Sequence, residues 1–286
     1  MESQGIDPVE FRGAQREQWD HAATGWKKWS GWLDSHAGFI SERLVELAGV
    51  QPGSRVLDVA AGFGEPALTA ARKAGPEGVV VATDISAEML AYGRERAAEA
   101  GVSNIEFMHA DASALDFPAE SFDAAVSRWG IIFEPDGEGA AGRVRGFLKP
   151  GSRMAISSWG PPERSPMIGR PMKAAMEFLD VPPPPPGTPG PLSRPTPEDI
   201  GGLLDGGGFS DVQVEDLDLT VEWKSPEEFG VYVREIIAPI TKMVEAQPED
   251  VQEEAWKKIA DSVRDESDNG GTVRLTNQVL LASGVA

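Results

Sequence analysis

Two glycines in the segment VLDVAAGFGEPALTAA, residues 56–71, are spaced for binding a nucleotide-like cofactor. Gly62 and Gly64 let the backbone turn tightly and approach a ligand closely, because glycine adopts conformations that other residues avoid. The helix predicted directly after the turn offers free backbone N–H groups at its start. About 20 residues past Gly64, Asp84 closes the next apolar segment, where a carboxylate can accept hydrogen bonds from ribose hydroxyls.

Asp58 and Asp111 bear on which cofactor the turn would serve. Residues 62–67 also fit the relaxed dinucleotide pattern G-x-G-x-x-[GA], so a nicotinamide-dependent oxidoreductase is an alternative on the turn alone. Asp58 interrupts an otherwise apolar strand segment, and a buried carboxylate needs partners. Asp111 follows a later strand segment, where it is placed to accept a hydrogen bond from an adenine amino group. The nicotinamide pattern demands neither acid, so both argue against that alternative.

The elements that must position these residues alternate between strand and helix. Apolar strand-like segments are predicted at 55–60, 78–83, 105–109, 122–127 and 153–159, with helices at 65–74 and 87–101 and a third ending at 148. Strands separated by helix-length segments indicate right-handed βαβ units and a parallel sheet. The later segments predict helices at 168–179 and 196–204, a strand at 212–221, a mostly helical stretch at 225–267 interrupted at Pro239 and Pro248, and a strand at 272–282.

The order of these motifs resembles a known family. VLDVAAGFG, ATDIS, HADA and the stretch from SRWGIIFEPD to FLKPGSRMAISSW resemble class I S-adenosylmethionine-dependent methyltransferases, in the branch that includes ubiquinone/menaquinone-biosynthesis-like and natural-product enzymes. The resemblance covers residues 19–160 well and residues 209–221 and 272–282 more loosely. It implies an α/β fold with a Rossmann-like, seven-stranded, mostly parallel sheet flanked by helices. It also implies S-adenosylmethionine as cofactor and S-adenosylhomocysteine as product.

The resemblance assigns roles to residues that match the family's motifs. Asp58 and the turn Ala60, Gly62 and Gly64 would lie beside the methionine half of the cofactor, and Asp84 would hold the ribose. Ile85 and Met89 would pack on the adenine, Asp111 and Ala112 would meet its edge, and Ser127 and Arg128 would border the methionine and the substrate. Trp29, or Trp26 on the same segment, would reach the site from the N-terminal helix. The family often has Gly or Cys where this chain has Ala60 and Ala61, and alanine is small enough to keep cofactor binding.

The chain divides, on this interpretation, into five successive parts. They are an N-terminal helical cap or lid (1–52), an S-adenosylmethionine-binding α/β core (53–160), an insertion with the sixth strand (161–224), a helical insertion on the substrate side (225–271) and the last strand (272–286). Apolar residues of the two insertions predict a hydrophobic or aromatic substrate. The same residues could instead form the cap's own core.

The catalytic half of the site is less legible in the sequence than the cofactor half. His21 and His36 of the N-terminal segment are candidate bases, and we see no metal-ligand motif. The acceptor atom, oxygen, nitrogen or carbon, stays open. A relative that binds the cofactor without transferring a methyl group is a further alternative.

Composition limits the partners and the compartment. The 286 residues carry a formal net charge of −20 and no cysteine, which argues against nucleic-acid binding and excludes disulfides and thiolate metal sites. We see neither an apolar run long enough to span a membrane nor a secretory signal, so we expect a cytoplasmic enzyme with a small-molecule substrate and no membrane partner. A homodimer is one candidate assembly.

Overall fold

A seven-stranded sheet runs through the computed structural model, which describes residues 8–185 and 187–286. The strands are β1 (Arg55–Val59), β2 (Val79–Asp84), β3 (Ile105–His109), β4 (Phe122–Arg128), β5 (Leu148–Trp159), β6 (Ser210–Trp223) and β7 (Val273–Val285). They lie in the order β3-β2-β1-β4-β5-β7-β6. Strands β1 to β5 pair in parallel, whereas β7 is antiparallel to both of its neighbours. This confirms the predicted α/β, Rossmann-like, mostly parallel sheet.

Nine helices in the described residues cover the two faces of the sheet. They are α1 (Pro8–Leu47), α2 (Ala67–Ala74), α3 (Ala87–Glu99), α4 (Gly137–Phe147), α5 (Pro166–Leu179), α6 (Pro197–Gly206), α7 (Pro226–Ile236), α8 (Ala238–Glu245) and α9 (Glu249–Asp261). One core contains side chains of α1 to α3, α5 and α7 to α9, and the other contains α4 and α6. Val56 belongs to the first core and Leu57 to the second. Because side chains alternate along a strand, Asp58 points to the same face as Val56.

The N-terminal helix is one continuous element of 40 residues, about 60 Å long at 1.5 Å per residue. Polar contacts attach it to the β2–β3 side of the sheet: Arg12 Nε lies 3.0 Å from Asp111 Oδ2, and Ser86 Oγ donates to Asp20 Oδ1 at 2.6 Å. The helix therefore lies over the carboxyl ends of these strands. No helix in residues 8–185 and 187–286 is both long and apolar enough to cross a membrane.

The predicted interruption at Pro239 is wrong in position. The helical stretch is interrupted at Ile237, between α7 and α8, and Pro239 lies in the first turn of α8. Proline is tolerated there because the first N–H groups of a helix have no intrahelical partner. Pro248 does stand at the next boundary, as the residue that caps α9.

Candidate cofactor and substrate site

A cavity opens at the carboxyl ends of the parallel strands, where open α/β sheets bind their ligands. Its wall combines the turn after β1, the ends of β2, β4 and β5, and residues of α1, α5, β6, α7 and α8. The N-terminal helix, the α/β core and both predicted insertions therefore all contribute to this cavity.

The turn after β1 has backbone conformations that favour glycine. Gly62 has φ = +54° and Gly64 has φ = +110°, and Ala60 adopts φ = +58° despite its Cβ. The Ala61 N–H donates to the Thr83 carbonyl at 2.9 Å, which ties the turn to β2. A Cβ at Gly62 would meet no protein atom within 4 Å, so the backbone there faces open space in the cavity wall. A ligand can approach this backbone closely.

Asp84 connects the turn to the end of β2. Its Oδ2 accepts the Gly62 N–H and its Oδ1 accepts the Ser86 N–H, both at 2.8 Å. Burial raises the pKa of this carboxyl to about 6, although the two backbone donors oppose the shift. Each oxygen still has a lone pair for a second donor. Such a carboxylate in a cavity wall fits the paired hydroxyls of a ribose.

Arg128 places a buried positive charge in the same wall. Its Nη1 donates to Ser41 Oγ at 2.8 Å, and within the described residues it forms no ion pair with a carboxylate. Burial lowers the pKa of the guanidinium, and a buried cation is costly unless an anion pairs with it. The side chain is thus suited to a ligand carboxylate.

Asp58 lies behind the wall and not in it. The side chain is fully buried, and neither carboxyl oxygen has a hydrogen-bond partner within the described residues. Burial raises the pKa of Asp58 well above the usual range, and the charge of Arg128 offsets only part of this effect. The sequence-level expectation that this acid needs partners remains unmet by the described residues.

Glu134 is a site residue that sequence reasoning missed. It follows β4, lines the cavity, and has an Oε2 atom with no partner in the described residues. Burial raises the pKa of Glu134 to about 7, the charge of Asp111 adds to the shift, and Arg12 opposes it. Its sequence signals are weak: it is one of 46 acidic residues, and it lies in the stretch SRWGIIFEPD without a role assigned to it. Within the described residues, no three His, Asp or Glu side chains are arranged to hold a metal ion.

Four aromatic side chains form the other half of the cavity, which we call the aromatic chamber: Trp32, Trp129, Trp159 and Tyr232. Trp129 and Trp159 stack with centroids 4.5 Å apart and planes 5° from parallel. Trp129 has φ = +54°, an uncommon conformation for a bulky residue, and its Nε1 is buried without a partner in the described residues. A flat ligand that carries an acceptor atom would suit this chamber.

The structure brings half of the predicted cofactor residues into the cavity wall. The six there are Ala60, Gly62, Asp84, Ile85, Met89 and Arg128, and the six outside it are Asp58, Gly64, Asp111, Ala112, Ser127 and Trp29. Trp29 donates its indole N–H to Glu235 at 2.6 Å, and Ser127 Oγ donates to the Val59 carbonyl at 2.8 Å. Of the two tryptophans offered from α1, Trp26 reaches the wall, where it contacts Phe63, and Trp19 reaches it as well and contacts Phe133.

The two candidate histidines of α1 lie in different places. His36 lines the cavity and packs against Trp32, with ring centroids 4.4 Å apart and planes tilted by 31°. His21 lies outside the cavity, with its side chain 71% exposed and its Nε2 3.7 Å from Glu245.

The fold and this site define a class. A glycine-rich turn after β1, an acid at the end of β2 and a seven-stranded, mostly parallel sheet fit the resemblance to class I S-adenosylmethionine-dependent methyltransferases, and the comparisons support this class, in its ubiquinone and natural-product branch. Residues 33–174 match the model of the ubiE/COQ5 methyltransferase family. The match confirms the prediction of S-adenosylmethionine as the cofactor and favours it over a nicotinamide dinucleotide.

Individual relatives cover only part of the chain. The ubiquinone/menaquinone biosynthesis C-methyltransferase UbiE of Teredinibacter turnerae is 38% identical over 122 residues, which are 42% of this chain and 49% of that protein. The aklanonic acid methyltransferase DauC of a Streptomyces species is 37% identical over 138 residues, 45% of this chain and 63% of that protein. The chain therefore spans less than two thirds of these relatives. The solved structure of the [4+2]-cyclase SpnF has a TM-score of 0.55 and 18% identity over 93% of this chain and 95% of that one, a likeness of fold alone.

Proposed function

We propose that this protein transfers a methyl group from S-adenosylmethionine to an oxygen, nitrogen or carbon nucleophile of a small hydrophobic or aromatic metabolite, with S-adenosylhomocysteine as product. The observation that supports it best is one cavity that joins the turn at Gly62 and Asp84 to the aromatic chamber. A donor held at the first half and an acceptor held at the second would meet inside the same wall.

Three residues suit the cofactor in this proposal. Asp84 would accept hydrogen bonds from the ribose hydroxyls, since each of its oxygens has capacity left beside one backbone donor. Gly62 would allow close approach of the backbone, and Arg128 would pair with the carboxylate of the methionine part. When bound, S-adenosylmethionine supplies an electrophilic methyl group on a positively charged sulfur.

The protein's own contribution would be positioning and exclusion of water. Holding two reactants in line removes much of the entropic barrier to a displacement. The aromatic chamber and the overlying α1 keep the reacting atoms in an apolar environment, which favours a step in which the donor's positive charge disappears. A flat, hydrophobic acceptor matches the stacked Trp129 and Trp159.

The acceptor is a small molecule in this proposal, with no nucleic acid involved. A net charge of −20 repels phosphate backbones. SpnF, a [4+2]-cyclase, has the same fold, so the fold by itself does not decide that a methyl group is transferred. Product formation must be measured directly.

The test has a binding stage and a turnover stage. Calorimetric titration should show binding of S-adenosylmethionine and S-adenosylhomocysteine and none of NAD(P)H. Purified protein should then release S-adenosylhomocysteine with at least one acceptor from a panel of phenols, amines and activated carbon acids. Binding without release across the panel would favour a non-methylating relative, and binding of NAD(P)H alone would refute the proposal.

A further inference from the structure

We infer that His36 is the general base of this site and that it takes the O–H proton of a phenol or enol acceptor. The inference rests on the proposed function and assigns it a proton acceptor. His36 stands on α1 at the aromatic chamber, in contact with Trp32. It shares that part of the wall with Tyr232, whose pKa burial raises, so the phenol stays protonated and cannot serve as a base.

Hydrogen bonding fixes which nitrogen of His36 carries the proton. Its Nδ1 lies 2.8 Å from the Trp32 carbonyl oxygen, and a carbonyl only accepts, so Nδ1 is the donor. Ser35 Oγ also donates to this carbonyl, at 2.8 Å, and lies 3.0 Å from Nδ1. In the neutral ring Nε2 is then the bare nitrogen, with a lone pair that can take a proton. No group in the described residues hydrogen-bonds to Nε2.

The ring is also held in orientation, as an effective base must be. The tilted contact with the Trp32 ring, at an interplanar angle of 31°, and the Nδ1 hydrogen bond restrain the rotation of the imidazole. In nucleophile and base pairs, a third group commonly orients the base, and here the Trp32 carbonyl does so for His36. Two carboxyl groups of the wall also have a raised pKa, but they lie elsewhere in it: Asp84 at the end of β2, beside the glycine-rich turn, and Glu134 after β4, on the side of Arg12 and Asp111.

The proposed step balances as a single displacement. The O–H bond of the acceptor breaks and its proton goes to Nε2 of His36. The acceptor oxygen forms a bond to the methyl carbon, while the carbon–sulfur bond breaks and leaves its electron pair on sulfur. The imidazolium then returns its proton to solvent. Arg128 cannot replace His36 here because a guanidinium stays protonated.

The test compares the same substitution at two histidines of one helix. His36→Asn keeps a donor for the Trp32 carbonyl and removes the basic nitrogen, and His21→Asn is the matched control outside the cavity. Each variant is assayed for S-adenosylhomocysteine release with an un-ionised phenol and with a nitrophenol already ionised at the assay pH. We expect His36→Asn to lower kcat by about 100-fold or more with the first acceptor. The loss should be small with the second, and added imidazole should restore part of the rate.

Other outcomes separate this inference from the proposed function. An equal loss with both acceptors, or an unchanged kcat with S-adenosylmethionine affinity intact, would overturn the assignment of His36. Wild-type turnover of amines or carbon acids alone would overturn the oxygen assignment while methyl transfer stands. No product with any acceptor class would defeat the proposed function, and this inference with it.

Discussion

Replacing Asp84 by asparagine tests the cofactor half of the site most directly. The substitution keeps the size of the side chain and leaves one acceptor oxygen where the carboxylate has two. Because the two carboxylate oxygens accept the Gly62 and Ser86 N–H groups, the new amide NH₂ must face one of these donors. The variant can therefore accept from one backbone donor and one ribose hydroxyl, and the other hydroxyl meets an NH₂ group where it had a charged acceptor.

The magnitude follows from the bonds that are lost. A charge-assisted hydrogen bond to one ribose hydroxyl is worth about 1.5–3 kcal/mol, and the second bond weakens by about 0.5–1 kcal/mol when its acceptor becomes neutral. The sum, about 2–4 kcal/mol, corresponds to a Kd that rises roughly 30- to 1,000-fold. We expect the variant to stay folded, since removing a buried carboxyl whose pKa is raised to about 6 offsets part of the lost backbone bond.

Calorimetry at pH 8 with S-adenosylmethionine and S-adenosylhomocysteine measures this change. Asp116→Asn is the control, because Asp116 is exposed and its replacement alters the net charge equally. Thermal unfolding of both variants checks the fold. A folded Asp84→Asn protein that binds both nucleosides within about threefold of wild type would refute the ribose assignment and the reasoning behind it.

Three further predictions test other parts of the structure. The wild-type protein should bind S-adenosylhomocysteine about tenfold or more tightly than 5′-methylthioadenosine, which lacks the carboxylate, and Arg128→Met should abolish this preference. If the ratio of the two Kd values is unchanged in the variant, Arg128 does not pair with the carboxylate. Burial raises the pKa of Glu134 from 4.5 to about 7, so the folded state keeps this proton longer than the unfolded state does. As pH rises from 4.5 through 7, the wild-type protein should therefore lose up to about 3 kcal/mol of its free energy of unfolding, and this contribution should be absent in Glu134→Gln. If the free energy of unfolding changes equally in the two proteins between pH 5 and pH 8.5, the prediction is contradicted. In α1, a Cβ at Gly25 would clash with the Glu235 carbonyl oxygen, whereas a Cβ at Gly31 would meet nothing within 4 Å. Gly25→Ala should cost about 1–3 kcal/mol and Gly31→Ala should stabilise by about 0.5–1 kcal/mol, so equal shifts in Tm would contradict the close contact of α1 with α7.

The positions of site residues that directly follow a strand could be predicted from the sequence. Gly62, Asp84 and Arg128 each stand at or just after the carboxyl end of a strand that apolar runs already predicted. Parallel strands bring these ends to one edge of the sheet, so strand order along the chain was enough to bring the three together. The fold class followed from the same alternation of strands and helices.

The side chains that α1 presents to the cavity could not be read from the sequence. Trp26, Trp29 and His36 are all candidates on one helix. Because each residue of a helix is rotated by about 100° from the one before it, their side chains point in different directions. Which stripe faces the cavity depends on how the helix packs, and here the contact with α7 turns Trp29 to Glu235 and leaves Trp26 in the wall. The sequence alone thus determined the glycine-rich turn, the acids at the strand ends and the fold class, which are local patterns. Only the tertiary structure decided that His36 and Glu134 line the cavity, because that depends on contacts between segments far apart in the chain.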